Sequence, residues 1–566
     1  MSIKTIYHFT DLTGGAATAL DSIDGNSLLD KDRAFVIAAG VFYIYELDAD
    51  SGLAESSPDV ISPNTNAGTK RWILITTMSI TAVTTSTTSA VNDNSTHIAT
   101  TAFVQAAKCA PTNLFTNSQW MAMSGSTLCE VTSGAAPVLD GVDAALVNNL
   151  LVKGGFDDQA SVDTWTEAND AVATSAATGK TGNKMVITGG VSVNPYVTKS
   201  VTTVVGKLYQ FTCYIRTGTE ASYLVYVGTE EAGMQYLNGS GEAADDWTTT
   251  VVTKVFEATT TTTYIMLGQA AAGGAGTTLF FDSITLYEVT PGYVASDNLA
   301  PDGWIKSYSG TRPYVYREHQ GTNTKSGGFY SIRVDSKESH EYQGLLWPGG
   351  FSYSQEDWLV KFTGKQVTIG AWVKADAAGI CKVGFYDNAA GYYSSANVGT
   401  DWEWLEFTRT VTATSTFAAL LTVITTGHTA YFSQPILVFG SSIGSGNYQP
   451  IPIEVIWLQS EVLLTDYAGS ATVSADTTIN LEAQSSGKIG KGVKAVYSRL
   501  DGINNTAGQQ FTLYSGTRYG VNLQTIVNSV GNLTQGIVPC DSNGDFSITR
   551  SGTWTGVRIA HYAIQT

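Results

Sequence analysis

The feature that most limits what this chain can fold into is a stretch that occurs twice. Residues 206–216 read Gly-Lys-Leu-Tyr-Gln-Phe-Thr-Cys-Tyr-Ile-Arg, and residues 364–374 read Gly-Lys-Gln-Val-Thr-Ile-Gly-Ala-Trp-Val-Lys. Each opens on a Gly-Lys pair, alternates apolar with polar side chains, and ends on an aromatic, a β-branched residue and a base. Alternation of period two marks a half-buried strand. Two more anchors follow in the same order. Trp247 matches Trp404, and the run starting Phe280-Phe281-Asp282 matches the run starting Tyr431-Phe432-Ser433. The spacing, roughly 150 to 160 residues, is far too long for a solenoid, so each copy needs its own core.

Composition agrees with strands. Charged residues are only 14% of the 566, while 28 residues are Tyr. Strands favour Tyr, Thr and Val, and long helix-forming runs are missing, so the chain reads as mainly β. The formal net charge of −18 argues against a nucleic-acid partner, because phosphate binding needs a concentrated positive face. Five cysteines at wide spacing make neither a disulfide framework nor a metal cluster. No apolar run is long enough for a transmembrane helix, and the N-terminus lacks the shape of a signal peptide. The expectation is synthesis in a reducing cytoplasm without export.

The organisation follows from shifts along the chain. Residues 1–77 predict a small β domain with strands near 34–39, 41–47 and 71–75. Residues 78–110 hold a Thr/Ser/Ala/Asn linker and then a short helix, 94–108, capped from Asp93-Asn94-Ser95-Thr96. A helix this short is marginal alone. Its stripe of Ile98, Ala102, Phe103 and Ala106 predicts packing against the same helix of a sister chain. Residues 111–292 and 293–452 are the two copies, and 453–566 form a last β domain with alternation at 471–475 and 478–482.

Two resemblances sharpen this. Residues 93–104, Asp-Asn-Ser-Thr-His-Ile-Ala-Thr-Thr-Ala-Phe-Val, resemble the short repeat of bacteriophage tail fibres, with His97 where that repeat usually carries Lys or Arg. This implies a homotrimer on a virion tail, attached through its N-terminal domain to other tail or baseplate proteins. Residues 113–120, Asn-Leu-Phe-Thr-Asn-Ser-Gln-Trp, resemble the opening of modules in phage tail proteins. Residues 149–158, Asn-Leu-Leu-Val-Lys-Gly-Gly-Phe-Asp-Asp, open the first copy proper. With Trp165, Trp247 and the closing run Phe281-Asp282-Ser283-Ile284, that copy is similar to carbohydrate-binding modules of the β-sandwich type. The resemblance implies tandem jelly rolls, a glycan partner, and a structural Ca²⁺ where first and last strands meet.

Candidate site residues follow from chemistry. A flat aromatic ring covers the apolar face of a pyranose, and neighbouring amides and carboxylates bind its hydroxyls. The second copy offers Trp347, Tyr386, Asp387, Asn388, Tyr392 and Tyr393 as a sugar-recognition face; the first offers Tyr196, Tyr223, Tyr226 and Tyr236. Trp247, Trp372 and Trp404, at repeat-anchor positions, are assigned to the cores. Calcium needs hard oxygen ligands, and the family pattern points to Asp157, Asp158 and Asp282. Ser433 in place of Asp282 weakens the equivalent site in the second copy. There is no His-Glu-x-x-His and no Walker loop, and the acidic pairs Glu230-Glu231 and Asp245-Asp246 read as solvated loops.

The expectation is therefore mainly β: tandem β-sandwich (jelly-roll) modules, a small N-terminal β domain, a short trimerising helix and a C-terminal β domain. The functional expectation is a non-enzymatic, adhesive virion protein, a tail fibre binding a host-surface glycan through multivalent modules. The alternatives are a depolymerase tailspike, against which the lack of a short-period repeat speaks, and a bacterial carbohydrate-binding accessory protein.

Overall fold

The computed structural model describes residues 6–79, 113–130, 138–139, 150–151, 155–156, 158–270, 275–294, 298–318, 321–341, 343–347, 356–388, 390–516, 518–525 and 531–566. The 94–108 helix, the tail-fibre-like run 93–104 and Asp157 lie outside them. By its contacts the chain divides into a unit of residues 1–109 and a unit of residues 110–566.

The first unit is a five-stranded sheet. Ile6–Phe9 runs parallel to Arg33–Ala38, and the other pairs are antiparallel. The hairpin between Arg33–Ala38 and Val41–Asp48 turns on Ala39 and Gly40, with φ of 50° and 77°. A two-residue turn with both φ positive matches the right-handed twist of its strands. One face buries Val36, Tyr45, Leu47 and Trp72.

In the second unit, the repeat corresponds to two sandwiches with the same strand order. Leu208–Thr217 lies between Val251–Glu257 and Thr278–Tyr293; Gln366–Ala375 lies between Glu403–Thr410 and Thr429–Phe439. The agreement extends to irregularities. Gly206 and Gly364 both take positive φ, 81° and 75°, in the turn before the strand. The ladder to the closing strand slips at Cys213 in one copy and at Ala371 in the other. Opposite each slip a non-glycine residue has positive φ, Ser283 at 49° and Gln434 at 51°. A bulge bends its strand and raises the local twist, so both closing strands bend at one equivalent point.

The Trp anchors are four residues out of register. Trp404 pairs with Trp372, and the equivalent pair in the first sandwich is Val251 with Tyr214. Trp247 sits in the turn ahead of its strand. None of Trp247, Trp372 and Trp404 is a core residue, contrary to expectation: all three are half-buried. Trp372 and Trp404 meet edge to face, 5.8 Å apart, on the outer side of their sheet. The Lys325 ammonium lies 3.9 Å above Trp372, as Lys180 does above Tyr214 at the equivalent position. Their repeat-anchor positions had suggested the core, but Trp372 and Trp404 fall on the outward phase of their strands.

The opening segments bring a second correction. Leu150 N–H donates to Leu286 O, and Leu114 N–H donates to Leu437 O. Leu286 and Leu437 are equivalent residues of the two closing strands. Phe156 and Trp120 follow at the same distance, both with positive φ (49° and 60°) and both buried. Residues 113–123, grouped with the first copy from sequence, therefore open the second sandwich. The chain begins the second sandwich, builds the whole of the first, and returns to finish the second. Trp304 completes the splice, packing on Phe115 and Trp120 and donating its indole N–H to Thr116 O at 3.0 Å.

The two sandwiches share one twelve-stranded sheet. Thr278–Tyr293 closes the first, then runs on so that Gly292 and Tyr293 pair with Tyr316 and Val315 of the second. Each sandwich has its own opposing sheet. In the first, the order is Leu237–Glu242, Ser222–Gly228, Thr262–Gln269, Tyr196–Thr202, Thr166–Ala168. In the second, the equivalents of the central three are Cys381–Asp387, Phe417–Val423 and Gly344–Trp347.

The C-terminal domain is a sandwich of two four-stranded sheets. A buried polar cluster ties it to the second sandwich. The Arg317 guanidinium is fully buried 4.5 Å from the Tyr330 ring and donates to Met121 O; the Tyr330 hydroxyl donates to Glu482 at 2.7 Å. Burial raises the Glu482 carboxyl to about 7 against the pull of Arg317.

Candidate functional site

The expected face on the second sandwich is not one face. Trp347 is 3% exposed in the core, its indole N–H held by Thr116 Oγ1 at 3.1 Å. Tyr392 pairs with the core residue Phe385, while Tyr386 and Tyr393 lie on the opposite, outer side. The Arg409 guanidinium stacks 3.3 Å above the Tyr392 ring. Asp387 is buried and accepts from Arg409 at 2.7 Å and from the Thr412 N–H and hydroxyl. Asn388 holds a turn, accepting from Thr414 N–H at 2.7 Å and donating to Thr412 O. Both polar side chains are spent on the fold. Adjacent position in sequence had suggested a cluster, but strand alternation sends neighbours to opposite faces.

Tyr386 and Tyr393 remain together. They pack over Leu346, Ala418 and Leu420 on the outer side of the sheet. Tyr393 lies flat along the strand edge, since a Cβ on Gly384 would meet its ring at 2.7 Å.

A better-formed aromatic face lies on the first sandwich. On the outer side of the sheet opposite the shared one, Tyr226, Tyr264 and Tyr196 stand on three adjacent strands, all half-buried and none in the core cluster. Tyr226 pairs with Met266, Tyr264 with Gly228, and Tyr196 with Gly268, which pairs in turn with Leu224. Tyr226 and Tyr264 are thus diagonal neighbours, about 8 Å apart at Cα. Tyr196 lies two strands and two residues from Tyr226, about 12 Å away by sheet geometry. Met266 and Leu224 form the floor between them. Gly268 keeps the floor low: a Cβ there would meet Tyr196 Cβ at 2.8 Å. The rim is polar. Asn238, Ser240 and Glu242 lie exposed on the edge strand beside Tyr226, Leu224 and Ser222, and the Ser222 hydroxyl donates to Glu242 at 2.8 Å.

Of the residues considered for this copy, Tyr196 and Tyr226 stand on this face. Tyr223 points inward against the core, and Tyr236 stacks on Phe256 at 4.5 Å. Tyr264 escaped notice; its alternation with Ile265 and Leu267, both buried, was the signal that puts it outside.

The duplication supplies an internal control. Val225 pairs with Leu267 in the first core as Val383 pairs with Leu421 in the second. By that register Tyr226 corresponds to Gly384, Tyr264 to Ala418, Met266 to Leu420 and Tyr196 to Gly344. Every tyrosine of the first face is Gly or Ala in the second.

Two of the three carboxylates expected to hold Ca²⁺, Asp158 and Asp282, are engaged in hydrogen bonds; Asp157 lies outside the described residues. Asp282 is buried, and its oxygens accept from Thr181 N–H at 3.0 Å and Ser283 N–H at 2.6 Å. Burial raises its pKa although these amides oppose the shift. Each Asp282 oxygen thus accepts from a backbone amide. Asp158 caps the Gln159–Val162 turn through Ser161 N–H at 2.8 Å. Among the described residues no group of three or more His, Cys, Asp or Glu side chains is placed to hold a metal.

No protein-family model matches the chain, and no curated protein matches it. Solved structures do. The tandem CBM22-1–CBM22-2 domain of Paenibacillus barcinonensis Xyn10C matches at 14% identity over 53% of this chain and 100% of that one, with a TM-score of 0.26. A CBM61 module in complex with β-1,4-galactotriose matches at 12% identity over 25% of this chain and 98% of its own, with a TM-score of 0.19. The enzymatically active domain of bacteriophage CBA120 tailspike protein 4 matches at 10% identity, covering 25% of this chain and 21% of that one, with a TM-score of 0.20. At these TM-scores the likenesses carry no argument about this chain.

Proposed function

We propose that this chain is a non-catalytic carbohydrate-binding protein whose first sandwich holds a glycan across Tyr196, Tyr226 and Tyr264. The observation that carries the reading is the contrast with the second sandwich. The same fold is built there with Gly344, Gly384 and Ala418 at those positions, so the fold does not need the rings. Three rings spread over about 14 Å on a sheet face suit the apolar faces of successive sugars. The exposed Asn238, Ser240 and Glu242 supply hydroxyl partners along one side.

The wider role we propose is an adhesive tail fibre on a virion, displaying this face to host-surface glycans. Its support is the tail-fibre-like run 93–104. In that role the 1–109 unit joins other tail or baseplate proteins, and several copies of one weak site give avidity. The test is glycan-array screening of the full chain, followed by titration of the best ligand against Tyr226→Ala and Tyr264→Ala. Each variant is expected to weaken binding about 5- to 150-fold, the equivalent of roughly 1–3 kcal/mol, without a change in melting temperature. Unchanged affinity in both variants sinks the assignment of the site.

A further inference from the structure

The C-terminal domain carries an exposed apolar face unlike any ordinary solvated sheet. Its outer sheet runs in the order Val455–Val473, Trp554–Gln565, Ala495–Ile503, Gly531–Pro539. One row across the sheet is Trp457, Ala563, Tyr497 and Ile537, and Tyr562, at the slip in the ladder beside Ala563, lays its ring between Trp457 and Tyr497. The three aromatic rings contact each other pairwise, with centroids 6.1–6.2 Å apart. Trp457 is nevertheless 66% exposed, Ile537 48%, and Leu533, further along the same edge strand, 54%. A ring cluster that is ordered by mutual contact yet open to water marks an interaction surface rather than a core.

The charges on this face point to the occupant. Arg558 pairs with Glu461 and approaches Asp501, and Arg499 pairs with Asp501 at 3.0 Å. Two bases and two acids balance on one face of a chain whose net charge is −18. Copies of so acidic a chain repel one another through most surfaces, and a locally neutral apolar face is where they can approach. The area is of the right order. Four strands about 4.8 Å apart, crossed by a strand of 12 residues, give a footprint on the order of 19 by 40 Å. A stable interface takes about 800 Å² per partner.

We propose that this face seats a second copy of the chain, with Trp457 and Ile537, on the two outer strands, flanking Tyr497 and Tyr562 in the contact. The inference is independent of the sugar-binding reading and of the 94–108 helix. Its test is sedimentation equilibrium of the full chain at micromolar concentration, wild type against Trp457→Glu and, separately, Leu533→Lys on the exposed edge. Wild type is expected to self-associate. Trp457→Glu is expected to weaken association roughly 30-fold or more, and Leu533→Lys less, with the melting temperature of the dissociated chain unchanged. Tyr226→Ala serves as a control and should associate as wild type does. A monomeric wild type overturns the proposal. So does a wild type that associates while both variants associate equally tightly, because another surface then holds the copies. If Trp457→Glu does not fold, Leu533→Lys alone decides. Loss of glycan binding in a Trp457→Glu variant whose mass is unchanged would identify a sugar as the occupant and also overturn it.

Discussion

The two sandwiches repeat each other strand for strand, down to the bulge at Ser283 and Gln434, yet they differ on one face. Where the first has Tyr196, Tyr226 and Tyr264 over a floor of Leu224 and Met266, the second has Gly344, Gly384 and Ala418, with Lys382 and Leu420 at the floor positions. They also differ in how they are assembled. The first is continuous from Leu150 to the end of its closing strand, while the second is interrupted after Thr127–Glu130 and resumed near Trp304. A duplicated fold leaves the inner residues under the same packing demands and frees the outer ones. Differences on the outer face are therefore where the copies acquire separate tasks, and differences in connectivity are where they acquire separate weaknesses.

The connectivity contrast predicts the largest effect. Trp304 locks the interrupted sandwich by packing on Phe115 and Trp120, whereas its counterpart Trp165 meets Phe156 within a continuous chain. Trp304→Ala should cost about 3–5 kcal/mol and release the 113–123 segment to protease. Trp165→Ala should cost a similar amount with no new cleavage in that segment. Calorimetry with limited proteolysis checks both, and equal cleavage in the two variants would break the contrast.

The next prediction concerns pH. Glu454 accepts from Asn117 N–H at 2.8 Å in the opening segment of the second sandwich, and burial raises its carboxyl to about 7 from an ordinary 4.5. The folded chain therefore holds a proton that the unfolded chain releases. Stability from this group is present below about pH 4.5 and is lost as pH rises through 7. At roughly 1.4 kcal/mol per pKa unit, Glu454→Gln should gain up to about 3 kcal/mol at pH 8 and almost nothing at pH 4. Melting curves at the two pH values measure the difference; an equal change at both would show that proton linkage is not involved.

The face contrast predicts a change in binding rather than in stability. The double variant Tyr226→Ala with Tyr264→Ala should abolish measurable glycan binding, each ring contributing about 1–3 kcal/mol. Tyr386→Ala with Tyr393→Ala, on the twin face, should leave binding unchanged. Calorimetric titration of both proteins sharpens or reverses the assignment. The smallest effect is expected at Tyr392→Phe. The Arg409 stack on the ring face survives loss of the hydroxyl, so stability should move by less than about 0.5 kcal/mol and binding not at all.

The sequence alone determined the β class and the duplication. Alternation in 206–216 and 364–374 records which side of a sheet each residue faces, and the Gly-Lys turns hold their place in both copies. The strand pattern also carried Tyr264, in its alternation with two buried neighbours, although the residue was passed over. What only the tertiary structure decided is which strands are neighbours. Tyr196, Tyr226 and Tyr264 converge because three strands distant in sequence pair in one register, and register depends on the whole sheet. Tyr386, Tyr392 and Tyr393 are close in sequence and part company because successive residues of a strand point opposite ways. The splice of 113–123 into the second sandwich was written twice in the sequence, as Asn113-Leu114-Phe115 and Asn149-Leu150-Leu151. Only the bonds from Leu114 to Leu437 and from Leu150 to Leu286 show which copy each one opens. Local pattern fixes the facing of a residue, and partners are chosen by the burial of the entire core.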